Sequence, residues 1–536
     1  MNNSSFFRES LMSEKKPFYI TTAISYVNGS PHLGHAYEQI LTDVMARFKR
    51  LDGYDVMFLT GTDEHGQKVA KTAEEKGMEP KTFCNQVAAE FEGMTDWLNI
   101  SNNDFIRTTE ERHYTASKAI WEAIKENNPD DIYLGKYEGW YSVRDEAYFA
   151  ENELTEGEDS EGNTHKLAPT GAPVEWVEQE SYFFKLSAYT DKLLDFYAAH
   201  PDFIEPESRR NEIISFVKSG LQDISISRTN FSWGVPVPND EKHVMYVWLD
   251  ALTNYITGVG YPDIGSASYK KYWPADYHVI GKDIIRFHCI YWPAFLMSAK
   301  LTLPKKVFAH GFINVNGMKM SKSVGNVIAP QDLIETYGLD QTRYLLMREV
   351  PHGQDGNFSH DHAVTRINSD LANGLGNLVQ RTLSMIYKNC DGAIPRPNAL
   401  NDDDKRLLDR AHNRVLKSVL EEVDKMRFNR ALENIWRLVN DANGYVDAQS
   451  PWTLKKEDPE RMKTVLYVLA ETIRVLGILI QAVTPDAGTK ILDQLKIEEG
   501  ARDFSYVSGK HQLTPETNID KPEGIFPRLE QTEKAA

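Results

Sequence analysis

The chain has 536 residues, of which 41% are hydrophobic and 26% charged, and its net charge is −18. That length suits three or four domains with self-sufficient cores, and the acidity excludes a histone-like or non-specific nucleic-acid coat while leaving room for a local basic groove. Cys84, Cys289 and Cys390 lie far apart, which excludes a disulfide scaffold and an all-cysteine zinc site and suits a reducing, cytoplasmic setting.

In chain order, residues 1–15 form a polar tail. It lacks the apolar core of a signal peptide, because Arg8 and Glu9 follow Phe6 and Phe7 directly. Residues 18–24, β-branched and aromatic, predict a buried strand. After the turn Asn28-Gly29-Ser30, a helix is predicted from Leu33, Tyr37, Ile40, Leu41, Val44, Met45 and Phe48, with Ser30 at the N-cap and Pro31 at the first helical position. Residues 55–60 predict a second strand, ending at Gly61. Strand, helix, strand is a right-handed βαβ unit, so the fold class is α/β, a doubly wound, Rossmann-like parallel sheet.

Helical segments are expected to about residue 127. Residues 131–205 are rich in aromatics and acids, with short strand candidates and a loop over 155–162, and suggest a small domain inserted within 131–225. Strands return over 244–248, 277–281 and 307–312. From about Ile367 onward the pattern is almost wholly helical. The stretch 465–483 is the most apolar, but Glu471, Thr472, Arg474 and Gln481 interrupt it, so a buried helix is expected and no membrane span. The expected organisation is therefore a catalytic sheet domain (16–130 and 226–300), the insert, a connecting region (301–360), a helical bundle (361–500) and an extension (501–536).

Two motifs carry chemistry. His32-Leu33-Gly34-His35 opens the first helix after a strand end, where free N–H groups and the helix dipole favour an anion. The histidines are three apart and share a face. Gly34 lets a flat base approach the backbone. Alone, the four residues suit two ordinary surface histidines equally well. Lys319-Met320-Ser321-Lys322-Ser323, beside Gly317 and Gly325, makes a mobile, phosphate-seeking loop, although a solvated basic turn reads the same way.

The two together, in this order and at this separation, resemble the paired signatures of the class I aminoacyl-tRNA synthetases. Between them, Gly61-Thr62-Asp63-Glu64-His65-Gly66, Tyr246-Val247-Trp248-Leu249-Asp250-Ala251 and Gly281-Lys282-Asp283-Ile284 resemble the methionyl-tRNA synthetases, as do Ala23 to Gly29, Phe287-His288 and Trp292-Pro293. The likeness covers roughly residues 16–500. It implies that His32, His35, Lys319 and Lys322 are catalytic, and that His32, Gly34, His35, Glu38, Gly281, Asp283, Ile313 and Lys322 surround ATP, supplied with Mg2+. It implies that Asp63 holds the α-ammonium of L-methionine, and that Ile24, Tyr26, Trp248, Ala251, Leu252, Tyr255, Ile284 and His288 line the side-chain pocket. A soft, apolar and aromatic pocket suits a thioether, to which Tyr26 or His288 could offer one hydrogen bond. Trp248, Tyr26 and Trp292 are expected to repack around the ligand.

Two departures stand out. Many relatives carry a zinc knuckle with Cys-x-x-Cys pairs in the insert. Here the corresponding residues 139–146 hold no cysteine, so no structural zinc is expected. Ile24 and Leu252 stand where leucine and proline are expected in many relatives, with similar volumes.

In the bundle, Asn373, Asn377 and Arg381 are spaced by four and form one polar stripe, and Trp452 offers a stacking face. The resemblance makes these the readers of a CAU anticodon in tRNA(Met). Without an added dimerising domain, a monomer is expected. The insert is too short for the editing domain of the leucyl, isoleucyl and valyl relatives, and a cysteinyl enzyme would need zinc. Intact motifs oppose a binding-only relative, and the large bundle opposes a small-cofactor nucleotidyltransferase.

Overall fold

The computed structural model describes residues 15–145, 147–149, 151–158, 164–320 and 325–530. It divides into two compact units: one comprises Tyr19–Pro31 and Met57–His310, the other Met1–Phe18, His32–Val56 and Gly311–Ala536.

The first unit holds the central seven-stranded sheet, in the order Ile204–Glu205, Val307–His310, Tyr277–Gly281, Pro17–Thr22, Asp55–Asp63 and Ser25–Tyr26, with Asp104–Arg107 also paired to Asp55–Asp63. Pro17–Thr22 runs parallel to Tyr277–Gly281, and Asp55–Asp63 parallel to Asp104–Arg107. The expected strands at 18–24, 55–60, 277–281 and 307–312 are present with small shifts at their ends. Near-continuous apolar runs such as Tyr277 to Gly281, buried along their whole length, suit a sheet covered on both faces. Residues 61–63 extend the second strand because Gly61 lies against Ile106: a Cβ there would come within 1.9 Å of the Ile106 carbonyl oxygen.

Three local expectations fail. Asp104–Arg107 is a strand inside the stretch read as helical; it is four residues long, with charges at both ends. The strand expected at 244–248 stops at Met245 and belongs to a small antiparallel sheet, while Val247–Leu252 is a helix. Thr155–Glu158, read as loop, pairs with Thr164–Leu167 in a hairpin.

Within 131–225, an antiparallel sheet runs in the order Ile224–Ser225, Glu175–Phe184, Ile132–Ser142, Ala147–Phe149. At one end, Ala168, Ala172 and Val174 pack with Trp140, Phe149 and Leu154. The second unit is helical apart from the small sheet of Ile313–Val315, Met318–Lys319 and Gly356–Phe358. Its helix Pro459–Ile480 is buried over almost every residue, as expected of a central bundle helix. Among the described residues no helix is long and apolar enough to cross a membrane.

Candidate active site

Of the residues expected to hold methionine, Ile24, Tyr26, Asp63 and Ile284 lie at or just beyond the carboxyl ends of central strands, and Trp248, Ala251, Leu252 and Tyr255 lie on the helices Val247–Leu252 and Asn254–Thr257. Ile24 follows Pro17–Thr22. Tyr26 lies directly opposite Asp63 in the parallel pairing of Ser25–Tyr26 with Asp55–Asp63. The chain crosses from one side of Pro17–Thr22 to the other between these strands and Tyr277–Gly281, so this is the topological switch point where open α/β sheets bind ligands. Asp63 is buried at its strand end, where a carboxylate can meet a ligand ammonium.

Ile24, Tyr26, Trp248 and Ile284 are half-buried and pack against the hydrophobic core, while Ala251, Leu252, Tyr255 and His288 are fully buried. The Trp248 ring lies flat on Phe287, with centroids 3.7 Å apart and planes 6° apart. His288 does not donate to a ligand sulfur in this arrangement. Its Nδ1 is 3.0 Å from the Ile284 carbonyl, which takes its proton, and its Nε2 accepts from the Tyr255 hydroxyl at 2.6 Å. Burial holds its pKa down at about 4, so the ring stays neutral. Beyond Tyr277–Gly281, Asp283 is exposed on a short turn. A Cβ at Gly281 would meet its Oδ1 at 2.6 Å, so the glycine makes room for that carboxylate.

The remaining expected ATP residues belong to the second unit. The helix Leu33–Leu51 begins two residues later than expected, and His32, not Ser30, is its N-cap. The Gly34 N–H donates to His32 Nδ1 at 3.1 Å, and the His32 N–H donates to His35 Nδ1 at 3.2 Å. The rings stack with centroids 3.8 Å apart. Since each Nδ1 accepts from a backbone N–H, the ring proton of each histidine lies on Nε2, at the N-terminus of the helix. Burial and then the neighbouring His32 press the His35 pKa down to about 3. A Cβ at Gly34 would meet the His32 ring at 3.0 Å, so this glycine serves the cap as well as any ligand.

Ile313 is buried in the strand Ile313–Val315, which hairpins through Asn316-Gly317, both at positive φ, into Met318–Lys319. Lys319 Nζ lies 4.9 Å from the centre of the Phe312 ring. Lys322 lies outside the described residues. Also in the second unit, Asn373 and Asn377 are exposed, and Arg381 sits with its guanidinium 5.4 Å from the Trp452 ring. Trp452 is 47% exposed, so it is not a core residue.

The family model for "tRNA synthetases class I (M)" matches residues 18–383, and that for "Anticodon binding domain of methionyl tRNA ligase" matches 394–536. The chain belongs to the methionyl class I tRNA synthetases. It is similar to the methionine–tRNA ligases of Brucella suis, 56% identical over 98% of this chain and 100% of that protein, and of Rhizobium meliloti, 55% identical over 96% and 99%. It is also similar to the solved Mycobacterium tuberculosis methionyl-tRNA synthetase in complex with methionyl-adenylate, with a TM-score of 0.92, 53% identity and coverage of 96% and 100%. With the apo form of that synthetase the TM-score is 0.87, at 50% identity and coverage of 97% and 99%.

Like other methionyl synthetases the chain carries the DEHG and WLDA stretches, but sequence reasoning gave no role to Glu64, His65 or Asp250. They prove to be fully buried and hydrogen-bonded to residues far along the chain. Asp250, fully buried, accepts from His65 Nδ1 at 2.6 Å and from His113 Nε2 at 2.7 Å. His65 Nε2 in turn accepts from the Tyr114 hydroxyl at 2.9 Å. Burial alone would raise the Asp250 carboxyl; the two imidazoles override it and hold it below the usual carboxylate range. Glu64, next to Asp63, takes two bonds from Arg107 at 2.6 and 2.9 Å, one from Thr109 and one from Thr62. The only signal in the sequence was an acid in an otherwise apolar helix, Asp250.

In the insert, Ser142 bonds Asp145 Oδ2 at 2.9 Å, Thr170 bonds the same oxygen at 2.5 Å, and Arg144 reaches the Thr170 carbonyl at 2.7 Å. Two turns of this synthetase's insert are thus joined by oxygen and nitrogen contacts.

Proposed function

We propose that the chain couples L-methionine to tRNA(Met) in two steps, at the expense of ATP, as a methionine–tRNA ligase serving initiation and elongation. The observation that carries this reading is the pocket: a buried Asp63 at the sheet's switch point beside an apolar, aromatic wall. In the first step a methionine carboxylate oxygen attacks the α-phosphorus of Mg·ATP. The bond to pyrophosphate breaks, and methionyl-adenylate forms. Asp63 binds the α-ammonium, and the wall from Trp248 to Tyr255 takes the thioether. The Nε2–H groups of His32 and His35, with Lys319 and Lys322, donate to phosphate oxygens as charge develops there. Asp283 and Gly281 receive the ribose, and Glu38 and Ile313 complete the nucleotide's surroundings.

In the second step the terminal ribose hydroxyl of the tRNA attacks the methionyl carbonyl and AMP leaves. Asn373, Asn377 and Arg381 bond the bases of CAU, and one base stacks on Trp452. The enzyme acts in the cytoplasm as a monomer and holds no structural zinc. Charging of tRNA(Met) transcripts tests the reading. A CAU transcript accepts methionine, and a one-base change in that triplet, or Trp452→Ala, lowers kcat/KM by an order of magnitude or more. Equal charging of all transcripts would overturn the assignment of the stripe.

A further inference from the structure

The stripe stands on unusual backbone. Between the α-helices His360–Arg366 and Asn377–Asn389, residues Ile367–Gly376 form a π-helix. The Asn377 N–H, for example, reaches back five residues to the Ala372 carbonyl. Such turns are rare, are seldom longer than one turn, and gather at functional sites. The sequence here, with Asn368-Ser369-Asp370, Asn373-Gly374 and Gly376, holds poor helix formers and does not sustain this geometry by itself. Neighbours must impose it.

They do so from two sides. On one side, the helix Phe428–Gln449 supplies Trp436 Nε1–H to the Asp370 carbonyl and Asn443 Nδ2–H to the Gly374 carbonyl, both at 3.3 Å. On the other, a C-terminal strap crosses the π turn. The Asn368 side-chain amide bonds the Leu529 backbone twice: Nδ2–H to the carbonyl and Oδ1 from the N–H, both at 2.9 Å. Phe526 is buried against Gly376, where a Cβ would stand 3.6 Å from the Phe526 Cβ. The strap is itself tied down, since Ile394 and Glu516–Thr517 exchange backbone bonds at 2.7 and 2.9 Å and Gln494 bonds the Glu523 N–H at 2.9 Å.

We propose that this double latch sets the phase of the anticodon stripe, making Asn368 and Asn443 positioning residues for tRNA selection. The longer i to i−5 bonding shifts the angle between Asn373 and Asn377 from its α-helical value, and the latch keeps that angle before RNA arrives. The substrate concerned is an unpaired RNA triplet, recognised by base edges along one helix. The proposal rests on the reading of Asn373, Asn377, Arg381 and Trp452 given above.

The test is steady-state charging of tRNA(Met) transcripts, with CAU and with one-base changes of it, by the full-length enzyme and its Asn368→Ala, Asn368→Asp and Asn443→Ala variants. Methionine-dependent pyrophosphate exchange is measured in parallel. Each alanine variant raises the KM for the CAU transcript about 2- to 10-fold, the worth of one or two hydrogen bonds, and lowers discrimination by a similar factor. Asn368→Asp, which keeps the acceptor and loses the donor, falls between. Exchange and kcat stay within about twofold, as expected of a change that leaves the adenylation residues untouched. Unchanged tRNA KM and discrimination in both alanine variants, with a raised KM in Asn377→Ala, overturns the latch and leaves the reading intact. Unchanged KM in Asn377→Ala and Trp452→Ala overturns the reading itself. A parallel fall in pyrophosphate exchange overturns the positioning role.

Discussion

Asp250→Asn is the sharpest probe of how the methionine pocket is built. The substitution keeps shape and volume but replaces one buried carboxylate oxygen by an NH2 group. Asp250 accepts at both oxygens, 2.6 Å from His65 Nδ1 and 2.7 Å from His113 Nε2, with no solvent access. Asparagine can satisfy one ring N–H and must oppose the other, donor to donor. Leaving one buried donor unsatisfied costs about 1–3 kcal/mol, which lowers the melting temperature of a unit of this size by roughly 2–6 °C. The helix Val247–Leu252 carries Asp250 alongside Trp248, Ala251 and Leu252, while His65 follows Asp63 by two residues. The same bond therefore fixes the distance between Asp63 and the helix that carries Trp248, Ala251 and Leu252. Methionine KM in pyrophosphate exchange should rise about tenfold, equivalent to about 1.4 kcal/mol, with ATP KM within about twofold. An unchanged melting temperature together with an unchanged methionine KM would refute the reasoning.

Further outcomes follow from other parts of the molecule. Lys322→Ala should lower the adenylation rate by on the order of 10²–10³, the cost of one preorganised donor, with methionine affinity by equilibrium dialysis nearly unchanged; affinity collapsing in step with rate would assign Lys322 a different role. His278 and His288 are buried neutral, with folded pKa values depressed by burial. Their stabilising contribution is present above the unfolded value of about 6.5 and is lost as pH falls, by about 2 kcal/mol each between pH 7 and 5. Asp340, raised to about 6 by burial, works in the opposite sense below pH 6 in the other unit. Urea titrations at pH 7, 6 and 5 should show falling stability in the unit that holds the histidines, and a flat profile would contradict their burial as neutral rings. Gly61→Ala should abolish soluble expression or lower stability by several kcal/mol, because the new Cβ would strike the Ile106 carbonyl. Treatment with a zinc chelator, followed by return of Mg2+, should leave charging unchanged; lost activity restored only by zinc would overturn the proposal that the insert holds no structural zinc.

Much of this was legible along the chain because it is local. Apolar β-branched runs mark Pro17–Thr22 and Tyr277–Gly281, and the paired motifs mark the family. The failures are local ambiguity or distant contact. Val244 to Trp248 has the same composition as a strand, yet its second half is helical. His32 displaces Ser30 as the cap through a ring-to-backbone bond that residue preferences undervalue. Asp104–Arg107 is a strand because Asp55–Asp63 pairs with it, not because of its own residues. The Asp250 bridge joins positions 65, 113 and 250, and the π turn at 367–376 depends on residues as far away as Leu529, so neither leaves a pattern at short range.

The most direct test of the central assignment is amino-acid-dependent ATP–pyrophosphate exchange, measured with each of the twenty amino acids and no tRNA present. Exchange with methionine alone is the predicted result and ties the pocket to its substrate. Exchange driven by a different amino acid would contradict the assignment of Asp63 and the aromatic wall, and exchange with none would contradict the adenylation chemistry itself.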